Sequence, residues 1–133
     1  MSKLLQKSGF NFDSAQLLVN NHYYAPSIHC YYYSCHQKLL HIFYNVLNKT
    51  EADLTSLKRS TNLGSHEVVI SEVYKSFGTN RFERRDFINH IGQLKKLRID
   101  SDYKELEILS NTSTEAEKLV REINKIIKKV FNI

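Results

Sequence analysis

The chain has 133 residues with 19 basic and 14 acidic side chains, a formal net charge of +5, and 41% hydrophobic residues. That length suits one domain with one buried core, and four glycines and a single proline leave little turn chemistry. A sheet-rich or low-complexity chain is therefore excluded, and an anionic partner fits the charge.

In chain order, Ala15, Leu18, Val19 and His22 share helical spacing. This predicts a first helix over roughly Asp13 to Asn21, capped by Asp13 or Asn11, with room to begin earlier. After a break at Tyr23–Ala25, Pro26 suits the first turn of a second helix. From there IHCYYYSCHQKLLHIFYNVL runs without a breaker and carries a wide apolar face through Ile28, Tyr31, Tyr32, Cys35, Leu39, Ile42, Phe43 and Val46. It is the longest helix expected. A short helical turn at Glu51–Leu57 follows, then a loop with Asn62 and Gly64. Ser65 can cap a helix carrying Val68, Val69, Val73 and Phe77, with Gly78 near its end.

Asn80 and Glu83 resemble a capping box for a helix from Arg81 to Arg98. On it Phe87, His90, Ile91, Leu94 and Leu97 form the core face, and Arg81, Arg84, Arg85, Lys95 and Lys96 form an opposite basic stripe. Arg98 falls on the core side. Asp100 and Ser101 then offer caps for a short element in DYKELEIL. Thr112 with Glu115, and Thr114 with Glu117, offer capping boxes for a last helix with Ala116, Leu119, Val120, Ile123, Ile126, Ile127 and Val130 as its stripe. The expected fold is all-α, an up-and-down bundle of four to five helices forming one domain over 1–133.

The two cysteines, Cys30 and Cys35, lie about 140° apart round one helix and cannot bridge, which fits a reduced, cytoplasmic compartment. No apolar run reaches the length of a membrane span, and the N-terminal MSKLLQKSGF lacks the apolar core of a signal peptide. His22, His29 and His36 are seven apart, roughly 10 Å along a helix, too far to share one ion, so no metal and no cofactor is expected.

Three charged sets remain. Arg98, Asp102 and Tyr103 lead. An arginine on a core stripe needs a partner, and Asp102 stands at i+4. This set reads either as a structural ion pair ending the helix or as a phosphate-binding cleft in which Tyr103 adds a hydroxyl or a stacking ring. The second set is Arg84 or Arg85 with His90, an arginine–histidine spacing whose members point about 140° apart on a continuous helix. The third is the basic stripe Arg81, Arg84, Arg85, Lys95 and Lys96, suited to an acidic partner or a nucleic-acid backbone. The tyrosine run Tyr31–Tyr33 points in three directions, so part of it must lie at the wet edge of the core or at an interface.

The segments YYAPSIHCYYYSCHQKLLH, SHEVVISEVYKSF and LKKLRIDSDY resemble the HEPN domains. The resemblance runs from about Ala15 to Val130. It points to the branch with a tyrosine-rich second helix, a serine/threonine–histidine opening the third (here Ser65–His66) and an R-x-x-x-D-Y ending, often encoded beside minimal nucleotidyltransferases. It implies a four- or five-helix bundle that dimerises. It further implies either a metal-independent ribonuclease toxin, with an arginine followed four to six residues later by histidine, or a partner whose tyrosine receives AMP from the nucleotidyltransferase. Arg98 matches the family arginine, but Asp102 and Tyr103 stand where the nuclease histidine would be. The resemblance therefore implies a partner in a toxin–antitoxin or defence system that binds nucleotide or RNA phosphate, ahead of the nuclease. A non-catalytic interaction module is the third expectation.

Overall fold

The computed structural model describes residues 2–133, and among them every regular element is helical, with no strand. Six α-helices form an up-and-down bundle: α1 (Lys3–Asn20), α2 (Tyr24–His41), α3 (Glu51–Thr61), α4 (Ser65–Lys75), α5 (Arg81–Tyr103) and α6 (Ser110–Phe131). No helix among the described residues is long and apolar enough to cross a membrane.

α2 lies at the centre and packs against α1, α4, α5 and α6. Its apolar stripe supplies Ile28, Tyr31, Tyr32, Cys35 and Leu39, all buried, and Ile42 and Phe43 extend it. Opposite stand Val69 and Val73 of α4, Phe87, Ile91 and Leu94 of α5, and Ala116, Val120, Ile123 and Ile127 of α6. Phe77, Phe87 and Phe131 close one end, with ring centroids 5.0 and 5.5 Å from Phe77. Large side chains of this kind contribute about 1.5–3 kcal/mol each when fully buried, and this burial is what holds the bundle.

The first helix begins ten residues before the expected Asp13, capped by Ser2, whose hydroxyl accepts from the Leu5 amide at 3.2 Å. Its early half conceals its inward face because Ser8 occupies a buried position. Ser8 donates to the Ser34 carbonyl at 2.6 Å and Ser34 donates to the Ser8 carbonyl at 2.8 Å, so two polar residues satisfy each other between α1 and α2. α2 stops at His41 and widens into a π turn over Ile42–Val46, with the Leu47 amide reaching the Ile42 carbonyl at 2.9 Å. The longest helix is α5, with 23 residues, rather than α2 with 18.

α3 is a full helix of 11 residues rather than one turn, started by a Thr50–Asp53 capping box and ended at left-handed Asn62. It has no buried residue and leans on α4. Ser65 opens α4 as its first residue, after Gly64 as cap. Asn80 precedes α5 as expected but spends its amide on the Phe77 carbonyl at 2.9 Å. Asp100 and Ser101 start no new element. Ser101 donates back to the Leu97 carbonyl, Lys96 and Lys104 both pair with Asp100, and α5 continues to Tyr103. Residues 104–109 carry no helix, and α6 starts at Ser110 with Thr112 and Thr114 inside it.

Candidate functional site

Four residues of α2 share one helical face: His29, Tyr32, Tyr33 and His36, spaced by three, one and three. α5 lays Arg98 across that face. Its guanidinium carbon sits 4.9 Å from the centroid of Tyr32 and 5.9 Å from that of Tyr33. Tyr103, one turn further on, places its ring 5.8 Å from the same carbon. The Arg98 side chain is only 12% exposed. The flat face of the guanidinium is attracted to the ring quadrupoles.

The anionic side of the balance is thin. Among the described residues, Asp102 is the one carboxylate in ion-pair contact with Arg98, at 3.5 Å from Nη1. The same oxygen, Oδ2, lies 2.8 Å from Nδ1 of His29. Asp102 is thus divided between two partners, and Arg98 Nε is buried with no hydrogen-bond partner among the described residues. Nearby, Lys95 has its own carboxylate, Glu67.

α4 closes the far wall. His66 shares a hydrogen bond with the Tyr32 hydroxyl through Nδ1 at 3.0 Å, and its ring lies 3.9 Å from that of His36. Burial, the neighbouring His66 and the Arg98 charge hold His36 at a pKa of about 3. Burial, Arg98 and Lys95 push His66 down as well. Both imidazoles therefore line the wall as neutral groups, and burial raises the Tyr32 phenol to about 12. The rings around Arg98 attract it through their quadrupoles but bring no net negative charge.

Beside this box a pocket of about 380 Å³ opens between the start of α2 and the end of α5. Ala25, Pro26 and Cys30 give it an apolar floor, and His29, Ser101 and Asp102 give it a polar rim. His29 is exposed, and Tyr103 is 74% exposed at the mouth of the site. An enclosed cation, a half-engaged carboxylate and an exposed imidazole oriented through Nδ1 make an arrangement suited to a phosphate group.

No protein-family model, curated protein or solved structure matches this chain.

Of the residues singled out in the sequence, Arg98, Asp102 and Tyr103 come together. Arg84, Arg85 and His90 do not. Arg84 lies over Tyr74 at 5.2 Å, Arg85 lies over Phe82 at 5.5 Å and pairs with Asp86, and His90 is half-buried with Nδ1 unpartnered among the described residues. The stripe is likewise divided. Arg81, Arg84 and Arg85 line a pocket of about 320 Å³ with Phe82, while Lys95 is tied to Glu67 and Lys96 to Asp100. Sequence reasoning misses His29, His36 and His66 as members of the site. A signal for the first two is present in the three, one, three spacing that joins them to Tyr32 and Tyr33, but the seven-residue spacing of the histidines alone says only that they share no ion. His66 is marked in the sequence only as the serine–histidine opening of SHEVVISEVYKSF, and the packing of α4 on α2 is what brings it into the site.

Proposed function

We propose that this chain is a HEPN-like helical partner of a nucleotidyltransferase in a toxin–antitoxin or related defence system, with Arg98 receiving the phosphate of a nucleotide or of RNA. The observation that carries this reading is the state of Arg98. It is nearly enclosed by tyrosines, and among the described residues its Nε has no partner and its one carboxylate is shared with His29. An enclosed cation with incomplete compensation gains free energy when an anion completes its shell. A homodimer is part of the same reading.

Tyr103 has the placement expected of a modification acceptor. Its ring is exposed and stands next to the cation that would hold the incoming phosphate. In that step the phenolic oxygen attacks the α-phosphorus of a nucleoside triphosphate bound by the partner enzyme. The new bond is oxygen to phosphorus, the bond to pyrophosphate breaks, and the phenolic proton passes to a base of that enzyme.

The test is calorimetric titration with ATP, AMP and a short RNA, together with intact-mass analysis of protein co-produced with the nucleotidyltransferase. Arg98→Ala should weaken phosphate binding at least tenfold, and Tyr103→Phe should abolish the added nucleotidyl mass. If both variants bind nucleotide and partner as the wild type does, this reading fails.

A second reading, a metal-independent ribonuclease, is favoured by one observation. His29 of α2 stands beside Asp102 and Arg98, so a histidine is available next to the family-like arginine although the sequence lacks one there. Asp102 would fix the imidazole tautomer and leave Nε2 to activate a 2′-hydroxyl, with Arg98 on the developing phosphorane charge. RNA cleavage in a chelator, lost in His29→Gln with helicity intact, is the outcome this reading requires. Loss in His90→Ala instead would move the chemistry toward the start of α5, to His90 with Arg84 or Arg85.

A further inference from the structure

A second concentration of charge lies on another face, where α1, α2 and α6 meet. A groove of about 570 Å³ runs along α6 and is lined by Arg121, Asn124, Lys125, Lys128 and Lys129, with Lys38 of α2 across from them. It continues into a neighbouring hollow past Phe12 and Asp13 of α1 that shares Lys38 and Asn124. Five cations therefore face one trough.

Three of the five are paired with carboxylates and, among the described residues, Lys38 and Lys128 are the two that are not. Glu117 meets Arg121 at 3.4 Å, Glu122 meets Lys125 at 3.3 Å, and Glu83 of α5 meets Lys129 at 2.5 Å. Asp13 lines the adjoining hollow. Among the described residues no carboxylate pairs with Lys38. Its side chain is half-buried, and Nζ donates to Asn124 Oδ1 at 3.0 Å. Burial lowers its pKa, so its charge is held at a cost that this neutral amide offsets only in part. Lys128 is exposed, and among the described residues no carboxylate lies within ion-pair distance of it.

We propose that this groove binds the phosphodiester backbone of a single-stranded nucleic acid. Three features select that occupant. Arg121, Lys125 and Lys128 recur at about one per helical turn, roughly 5.4 Å of rise, which suits a linear row of phosphates better than one isolated anion. The walls are helices whose main-chain groups are already bonded, so an acidic peptide finds no strand edge to pair with. Arg121 lies over Phe12, with its guanidinium carbon 5.0 Å from the ring centroid, which gives the rim a planar surface on which a base can stack. The proposal is independent of the Arg98 reading, since the two sites share no residue.

The test is fluorescence anisotropy of a labelled oligouridylate over a series of salt concentrations. The wild type should bind, and binding should weaken steeply as salt rises. The double variant Lys38→Gln/Lys128→Gln should bind at least tenfold more weakly and with a shallower salt dependence. The glutamine amide introduced in place of Lys38 keeps a donor for Asn124, and circular dichroism checks that the helices persist. Arg98→Ala should leave this binding in place. The proposal is overturned if the wild type does not bind, if the double variant matches it, or if polyglutamate of equal charge displaces the oligonucleotide as well as unlabelled oligouridylate does. Loss of binding in Arg98→Ala alone would assign the RNA to the other site and overturn the groove.

Discussion

Arg85 and Arg98 belong to the same helix, under four turns apart, and meet opposite surroundings. Arg85, near the start of α5, is 65% exposed and stands beside Asp86 and Phe82. Arg98, near the end, is 12% exposed and lies among Tyr32, Tyr33 and Tyr103. Nothing in the arginine side chain makes the difference. α2 provides it, because its tyrosine–histidine face packs against the late turns of α5. Water screens and solvates the first charge, so it can do little beyond long-range attraction. The second has lost most of its water and has one shared carboxylate in return, so a bound anion gains far more there.

The largest expected effect is on acid stability and acts through His36 at the enclosed end. His36 titrates near 3 in the folded protein against 6.5 for the free side chain. Between those values the unfolded chain takes up a proton that the folded one refuses. Stability should therefore fall as pH drops from about 6.5 toward 3, by up to about 1.4 kcal/mol per unit. His36→Gln should flatten that slope in urea unfolding curves measured across this range. An unchanged slope would mean that His36 accepts a proton in the folded state.

Next in size is the contrast between the two arginines as anion receptors. Arg98→Ala should weaken phosphate binding tenfold or more, about 1.4 kcal/mol, whereas Arg85→Ala should not change it. Equal losses would erase the distinction between enclosed and solvated charge. Tyr32→Phe sharpens the comparison from the other side. It keeps the ring under Arg98 and removes the hydroxyl bonded to His66, so thermal unfolding should register a loss of about 1 kcal/mol while anion binding persists. The smallest effect is the stability change in Arg85→Ala, expected within about 0.5 kcal/mol of zero.

The fold was legible wherever apolar residues carried the pattern. The stripes Ile28–Leu39 and Ala116–Ile127 locate α2 and α6, and Phe87, Ile91 and Leu94 orient α5 correctly. The early half of α1 was hidden because its inward position is Ser8, and polarity reads as exposure until a partner such as Ser34 is known. α3 reads short in the sequence because it buries nothing, and only its capping box announces it. For the site, the sequence marked Arg98 by its register on the core side, and Asp102 and Tyr103 by proximity. It could not supply the contacts of His66 with Tyr32 and His36, or the Lys38–Asn124 contact. Those depend on how helices distant in sequence pack together.

The last turn of α5 carries Asp100 and Asp102 at the negative end of the helix dipole, has no basic residue of its own, and leads into an irregular segment. The contacts of Arg98 with α2 and of Asp102 with His29 tie that turn to the bundle. A ligand that takes up the Arg98 charge competes directly with Asp102. Occupancy and the order of the final turn are therefore thermodynamically linked: filling the site relaxes one tether of the turn that bears Tyr103, and amide hydrogen exchange over residues 100–104 becomes a gauge of whether anything is bound.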